Sequence, residues 1–250
     1  MKRFIFFISL VLNLSAFGQT GQELFNEAND MYIDGHYDKA IELYLSIEEK
    51  DLISDDLYFN LANCYYKQNK VAPSIYYYEK ALKINPAHED AEINLAFAKR
   101  MTIDLIEELP KTVLQRFSEN VIQQLSFDVW AIIAVIGSFL ASIFFLLYHF
   151  SRSSGKKLLF FNATIFASVV VFITLVFAYN NYKTVQNNRE AIIFAPRTEI
   201  VNAPSDESDV VVELHEGTKV VIMDELEGWK KIKISDGTIG WLSAEDLREI

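Results

Sequence analysis

Polar and apolar positions alternate with different periods along this chain, and two stretches have no polar period at all. Val129–Phe150 and Leu158–Tyr179 are each 22 residues long without one lysine, arginine, aspartate or glutamate. At about 1.5 Å rise per residue, a helix of that length reaches about 33 Å, enough to cross a hydrocarbon core of about 30 Å. Only Ser151–Lys157 joins them, so the pattern predicts a membrane hairpin with transmembrane helices at 129–150 and 158–179. A hairpin places whatever precedes and follows it on one side. A shorter apolar stretch, Phe4–Leu14, follows Lys2 and Arg3 and runs into Ala16-Phe17-Gly18. It is short for a span and predicts a secretory signal peptide over residues 1–18, cleaved before Gln19.

Between the signal and the hairpin the apolar period is helical, and the sequence repeats every 34 residues. Leu24, Ala28, Gly35, Tyr37, Ala40, Tyr44 and Ile47 recur as Tyr58, Ala62, Asn69, Val71, Ser74, Tyr78 and Ala81. Each unit predicts two helices with a tight turn at Gly35 or Asn69, residues that tolerate positive φ. The units cover 21–54 and 55–88, Pro86 closes the second, and a capping helix from Glu89 completes a domain at 21–101. Cys64, the only cysteine, falls on a predicted helix and is expected in the core. Two and a half units bury little surface alone, so a further cap is expected. Residues 102–127 predict an amphipathic linker helix, with Val113, Leu114, Phe117, Val121, Ile122 and Leu125 at helical spacing behind Pro110. It either caps the stack or lies on the membrane, and the adjacent span favours the membrane.

Beyond Lys183 the period shortens to two. Val210–Leu214, Thr218–Met223 and Trp229–Ile234 predict strands, with hairpin turns at Glu227-Gly228 and Asp236-Gly237. Residues 190–250 thus form a small all-β domain, expected as a barrel that folds alone. The fold class is a multi-domain membrane protein: an all-α helical repeat, a two-helix hairpin and a small all-β barrel.

The 34-residue period with its small and aromatic positions resembles the tetratricopeptide repeat, with Met31 and Leu52 departing from that pattern. The resemblance implies an inner face lined by Phe25, Asn26, Asn29, Tyr32, Phe59, Asn60, Asn63, Tyr66, Asn94 and Phe97. Carboxamides both donate and accept, which suits the backbone of an extended peptide, and aromatic rings supply contact area. The alternative is that some of these rings only pack the helix pair. Repeats of this class that clamp a carboxylate tail surround two asparagines with cations. Here Asn29 and Asn60 match the asparagines, but Phe25, Asp90 and Asn94 stand where the cations would be, which argues against such a clamp. As surface residues, Asn29 and Asn63 are expected to matter little to folding.

Glu227–Leu242, with Gly228-Trp229 and Gly240-Trp241, resembles the bacterial SH3 domain. In that family Trp229 and Trp241 can be either barrel core or a ligand surface. Some members hold cell-wall peptides and others pack on a neighbouring domain.

Charge sets the orientation. The chain has 23 basic and 34 acidic residues, net −11, yet the hairpin loop carries Arg152, Lys156 and Lys157 and no acid. Positive charge beside spans stays in the cytoplasm, so both soluble parts are expected in the periplasm of a bacterial inner membrane. The acidity of those parts argues against nucleic acid as a partner. No phosphate loop, nucleophile elbow or zinc motif is present, and no histidine has metal-ligand spacing, so neither catalysis, cofactor nor metal is expected. Gly137 with Ala141, and Ala163 with Ala167, give the spans small-residue spacing for close packing.

The order signal, repeat, two spans and SH3 resembles the E-type proteins of the Bacteroides aerotolerance (Bat) operon along the whole chain. That resemblance implies a non-enzymatic membrane scaffold acting with von Willebrand A-domain Bat proteins and a MoxR-type ATPase. The competing reading is a peptidoglycan-binding accessory that works through its SH3-like domain.

Overall fold

The structure, a computed structural model, describes residues 21–107, 109–110, 112–187, 189–205 and 207–250. The expected signal segment lies outside the described residues. The chain divides into two compact units. One joins the segment up to Leu109 with Glu190–Ile250, and the other is Pro110–Arg189.

Among the described residues, the first unit has five helices: α1 (residues 21–33), α2 (Tyr37–Glu48), α3 (Asp55–Lys67), α4 (Val71–Ile84) and α5 (Glu89–Lys99). The repeat is visible in the turns. His36 N–H reaches Met31 O at 2.8 Å, and one repeat later Lys70 N–H reaches Tyr65 O at 3.0 Å, each closing a helix end over a residue of positive φ. Helix α3 starts where Ser54 Oγ accepts from Leu57 N–H at 3.1 Å, with Asp55 and Asp56 in the first turn to complement the dipole. Ala28, Ala40, Ala62, Ala72 and Ala81 are fully buried and let the helices approach, while Tyr44 and Tyr78 fill the space beside them.

The C-terminal part of the same unit is one antiparallel sheet. Its strands are β1 (Arg189–Ile193), β2 (Arg197–Val201), β3 (Val210–His215), β4 (Lys219–Leu226), β5 (Trp229–Lys233), β6 (Ile239–Ser243) and β7 (Leu247–Glu249). They lie in the order β3-β2-β6-β5-β4-β1-β7. Ile193, Ile200, Val220, Ile232 and Leu242 make its core. At Gly240 a side chain would meet Ile200 Cγ2 at 2.5 Å and Val201 O at 2.8 Å, so glycine lets β6 press on β2. Trp229 and Trp241 are half-buried and stand outside that core.

The sheet packs on the repeat helices, one of the modes that the SH3 resemblance implies. Ile192 of β1 is fully buried in the helical core. Phe194 sets its ring edge-on to Tyr76 at 5.6 Å, under the Arg248 guanidinium at 4.3 Å. Gly217 (φ +88°) lies so close to α4 that a Cβ would meet Thr102 Cγ2 at 2.8 Å and Ile75 Cδ1 at 3.0 Å. The chain after α5 then straps across the sheet: Ile106 packs on its core and Leu109 N–H reaches Ser235 O at 3.2 Å. The further cap expected for the short repeat is therefore the sheet together with α5.

The second unit holds α6 (Val113–Phe117), a π turn (Ser118–Ile122), α7 (Phe127–Phe150) and α8 (Ser154–Asn187). The single amphipathic helix expected over 102–127 is not formed. Thr112 and Gln115 cap a short α-helix, and Gln123 N–H then reaches back to Ser118 O at 2.8 Å. Carbonyls freed by that turn find side-chain donors. Trp130 Nε1 donates to Ile122 O at 2.8 Å, and buried Asn181 donates from Nδ2 to Leu125 O at 2.7 Å. The segment packs on α8, where Phe117 meets Phe177 edge-on at 6.3 Å.

Helices α7 and α8 are both long and apolar enough to cross a membrane. They pair antiparallel along one seam. Trp130 faces Phe177 at 5.2 Å, Gly137 faces Val171, and Tyr148 faces Phe161 at 5.8 Å. Steps of 7 and 11 residues along α7 are matched by steps of 6 and 10 back along α8, and counting four residues on from Gly137 and back from Val171 brings Ala141 nearly level with Ala167. A Cβ at Gly137 would stand 2.9 Å from Val171 Cγ2, the close approach that small residues permit.

Candidate functional site

Helices α1, α3 and α5 lie side by side, and equivalent positions recur along them in rows. Phe25, Phe59 and Ile93 form one row, and Asn26, Asn60 and Asn94 the next. Asn29, Asn63 and Phe97 form the third, and Tyr32, Tyr66 and Arg100 the fourth. Spacings of 3, 4 and 7 residues place each set on one helix face.

The asparagines hold the repeats together. The hydroxyl of Tyr44 donates to Asn29 Oδ1 at 2.6 Å, and Asn60 Nδ2 donates to the same oxygen at 3.1 Å. One repeat later, Tyr78 donates to Asn63 Oδ1 at 2.5 Å and Asn94 Nδ2 donates to it at 2.9 Å. Tyr44 and Tyr78 are fully buried, so their hydroxyls need these acceptors. Burial also pushes both phenols above their ordinary pKa. This revises the expectation for Asn29 and Asn63: each satisfies a buried hydroxyl and ties neighbouring repeats, so neither is a free surface amide. The ladder also explains Phe97. Among the described residues no helix packs behind α5 as α2 and α4 do behind α1 and α3, so the third member of that row has no tyrosine hydroxyl to accept.

The rings divide between structure and surface. Phe25 packs on Tyr44 at 5.8 Å, and Phe59 packs on Tyr78 at 6.1 Å and on His88 at 4.8 Å. Tyr32 leans on Tyr37 at 5.5 Å. Asn26 is exposed, and Phe97 is 47% exposed under the Arg100 guanidinium at 5.2 Å. Ile93 and Ile33, not among the expected site residues, are 54% and 77% exposed. Ile93 follows from the row of Phe25 and Phe59, and the 34-residue period could have found it.

Among the described residues, these rows hold no cysteine, serine or lysine. Cys64 is fully buried, and burial pushes its thiol up to about 12. Asp55, Asp56 and His88 come together at the end of the face with their polar atoms within 4.8 Å of one another. The arrangement does not suit a metal. Ala91 N–H donates to His88 Nδ1 at 3.3 Å, so the neutral ring carries its proton on Nε2, the nitrogen 3.8 Å from Asp56. Asp55 accepts from Asn85 Nδ2 at 2.7 Å.

Two polar clusters join the sheet to the helices. Glu79 of α4 is buried between Lys219 at 2.8 Å and Lys99 at 3.0 Å, and Lys219 also meets Glu190 at 2.8 Å. Burial alone would raise the Glu79 carboxyl, but the two ammonium groups overcome it and hold it below the usual range. Lys219 is raised in turn, its two carboxylates outweighing burial. Asp104 accepts from His215 N–H at 2.7 Å and from the Thr218 hydroxyl at 2.6 Å, and its other oxygen lies 2.7 Å from His215 Nδ1. Burial opposes ionisation there too, yet these hydrogen bonds hold Asp104 below its ordinary value. Glu79 and Lys219 stand 140 positions apart, and no local pattern announces such a pair.

On the sheet, Arg197, Thr198, Glu199, Val201, Trp229, Ser243 and Asp246 line a cleft of about 410 Å³. Trp229 is thus at a surface cleft, and Lys231 lies 5.8 Å from the ring of Trp241.

Residues 56–88 match the tetratricopeptide repeat family, and residues 195–249 match the bacterial SH3 domain. No curated protein matches the chain. The domain content is therefore that of protein–protein or cell-wall interaction, with two apolar helices that suggest membrane association.

Proposed function

We propose that this chain is a non-enzymatic adaptor of the bacterial inner membrane that holds an extended segment of a protein partner on the α1–α3–α5 face. The observation that carries this reading is the row pattern. Carboxamides and rings recur at 34-residue spacing on adjacent helices, and Asn26, Ile93 and Phe97 remain open at the surface. Main-chain amides of an extended segment would meet the carboxamide rows, and its apolar side chains would seat between the rings.

Both soluble parts are placed in the periplasm, with the sheet read as a closed SH3-type barrel. The packing of sheet on helices supports one side for both, since parts that bury a common core share a compartment. The basic loop Arg152, Lys156 and Lys157 supports the cytoplasmic side for the hairpin turn. Resemblance to the Bat E-type proteins supplies the proposed setting, an aerotolerance or envelope-stress complex with von Willebrand A-domain membrane proteins.

Affinity capture from detergent-solubilised membranes tests the face. The intact chain should retain discrete partners that Ile93→Ala with Phe97→Ala, both exposed, loses at unchanged melting temperature. Equal capture by both would place the partner elsewhere.

The Trp229 cleft supports a second reading, cell-wall binding by the sheet. Purified peptidoglycan should then retain the chain, and Trp229→Ala should release it.

A further inference from the structure

The face has an edge that its fold alone does not explain. The first turns of α3 and α5 bring Asp55, Asp56, Glu89, Asp90 and Glu92 to that edge, and Glu23 stands on α1 one residue from the repeat position of Asp56 and Asp90. All except Asp55 are exposed. Asp55 has Asn85 and Asp56 has the distant His88, but among the described residues no lysine or arginine pairs with any of the six. Acids in a first turn complement the helix dipole, and that accounts for some of them. It does not account for the balance around them: residues 21–107 carry 17 acidic and 8 basic residues. Several of those bases are engaged elsewhere. Lys80 binds Glu48, Lys99 binds Glu79, and Lys83 donates to Ile250 O. Asp56 and Asp90 lie three and four residues before Phe59 with Asn60 and Ile93 with Asn94, on the same helix faces as the proposed contacts.

We infer that the partner segment is basic: an extended stretch in which lysine or arginine alternates with apolar residues. This rests on the reading of the α1–α3–α5 face as a peptide site. The apolar side chains take Ile93, Phe97 and Tyr66. Asn60 and Asn94 each donate inward through Nδ2, and their Oδ1 atoms accept from the peptide backbone. The cations lie along Asp56 and Asp90. The acids gather at one end of the face, while Arg100, over Phe97, stands at the other end of α5; an acidic excess of this kind speeds encounter with the opposite charge. An acidic segment would add carboxylates to six that already lack a cation.

Selection from a display library of random nonapeptides tests this on the intact chain in detergent, with empty micelles as control. Selected peptides should be enriched in lysine and arginine together with leucine, isoleucine or phenylalanine. A selected peptide should bind at least tenfold more weakly at 0.5 M than at 0.05 M salt, and more weakly again when its lysines become glutamine. Asp56→Asn with Asp90→Asn should reduce both the affinity and the salt dependence. The salt dependence is read on the unaltered chain, so it stands even if that variant folds poorly. Peptides that need Phe97 but show no basic bias, or an acidic one, overturn the basic partner and leave the face intact. If no peptide is enriched over empty micelles, or the enriched peptides bind Phe97→Ala equally, the peptide site falls and this inference with it.

Discussion

Asn29 and Asn63 show how one side chain can serve folding and define a surface together. Each accepts from a fully buried tyrosine hydroxyl and from an asparagine on the next helix. Alanine at either position would strand that hydroxyl, at about 1–3 kcal/mol each. Asn63→Ala should therefore lower the melting temperature measurably, and Tyr78→Phe, which removes the stranded hydroxyl, should recover part of the loss when added to it. The asparagines were legible in the sequence as a pattern but not as this network, because the period does not say which way a carboxamide turns. Glu79 was less legible still, since both its lysines come from outside α4. Glu79→Ala should cost about 1.5–3 kcal/mol, because it removes a charge-assisted link to half-buried Lys219, which keeps Glu190. The pH dependence has a definite sign. Glu79 and Asp104 have lowered folded values, so their stabilisation is present above their unfolded values of about 4 and is lost as pH falls through the folded ones. Lys219 is raised, so its contribution is present below about pH 10 and is lost only as pH rises through its folded value. Thermal melts of the soluble unit should be level near neutrality and decline below about pH 4.

At the scale of elements, the repeat helices, the two long apolar helices and the strands β3, β4 and β5 could be read from period, while β1, β2, β6 and β7 were not predicted as strands. What could not be read was which element buries which. The sheet was expected to fold by itself, yet Ile192 sits in the helical core and Ile106, from the strap after α5, sits in the sheet core. Residues 21–109 joined to 189–250 through a flexible linker should melt in a single transition. The segment 189–250 alone should be less stable, since it lacks Ile106 and exposes Ile192. Two separate transitions in the linked protein would show that the halves do not share a core. The linker helix failed for a different reason. Its apolar spacing fits a helix, but carbonyls at Ile122 and Leu125 have better donors in Trp130 and Asn181 than a continued helix would offer.

For the whole molecule, the hairpin and the helix–sheet core constrain each other. On the proposed topology the chain leaves the helices, crosses the membrane twice and returns to the sheet, and it can build one core only by returning to the same side. Alkaline phosphatase fused after Leu125 or Ile250 should be active, and fused after Ser154 inactive. The reverse pattern would move both soluble parts to the cytoplasm. The central claim, partner binding on the α1–α3–α5 face, is tested most directly by photo-crosslinking in living cells. A photoreactive residue at Asn26 or Phe97 should give discrete crosslinked products, while one at Glu42 on α2 should give none. Products from Glu42 with silence at Asn26 and Phe97 would contradict the account.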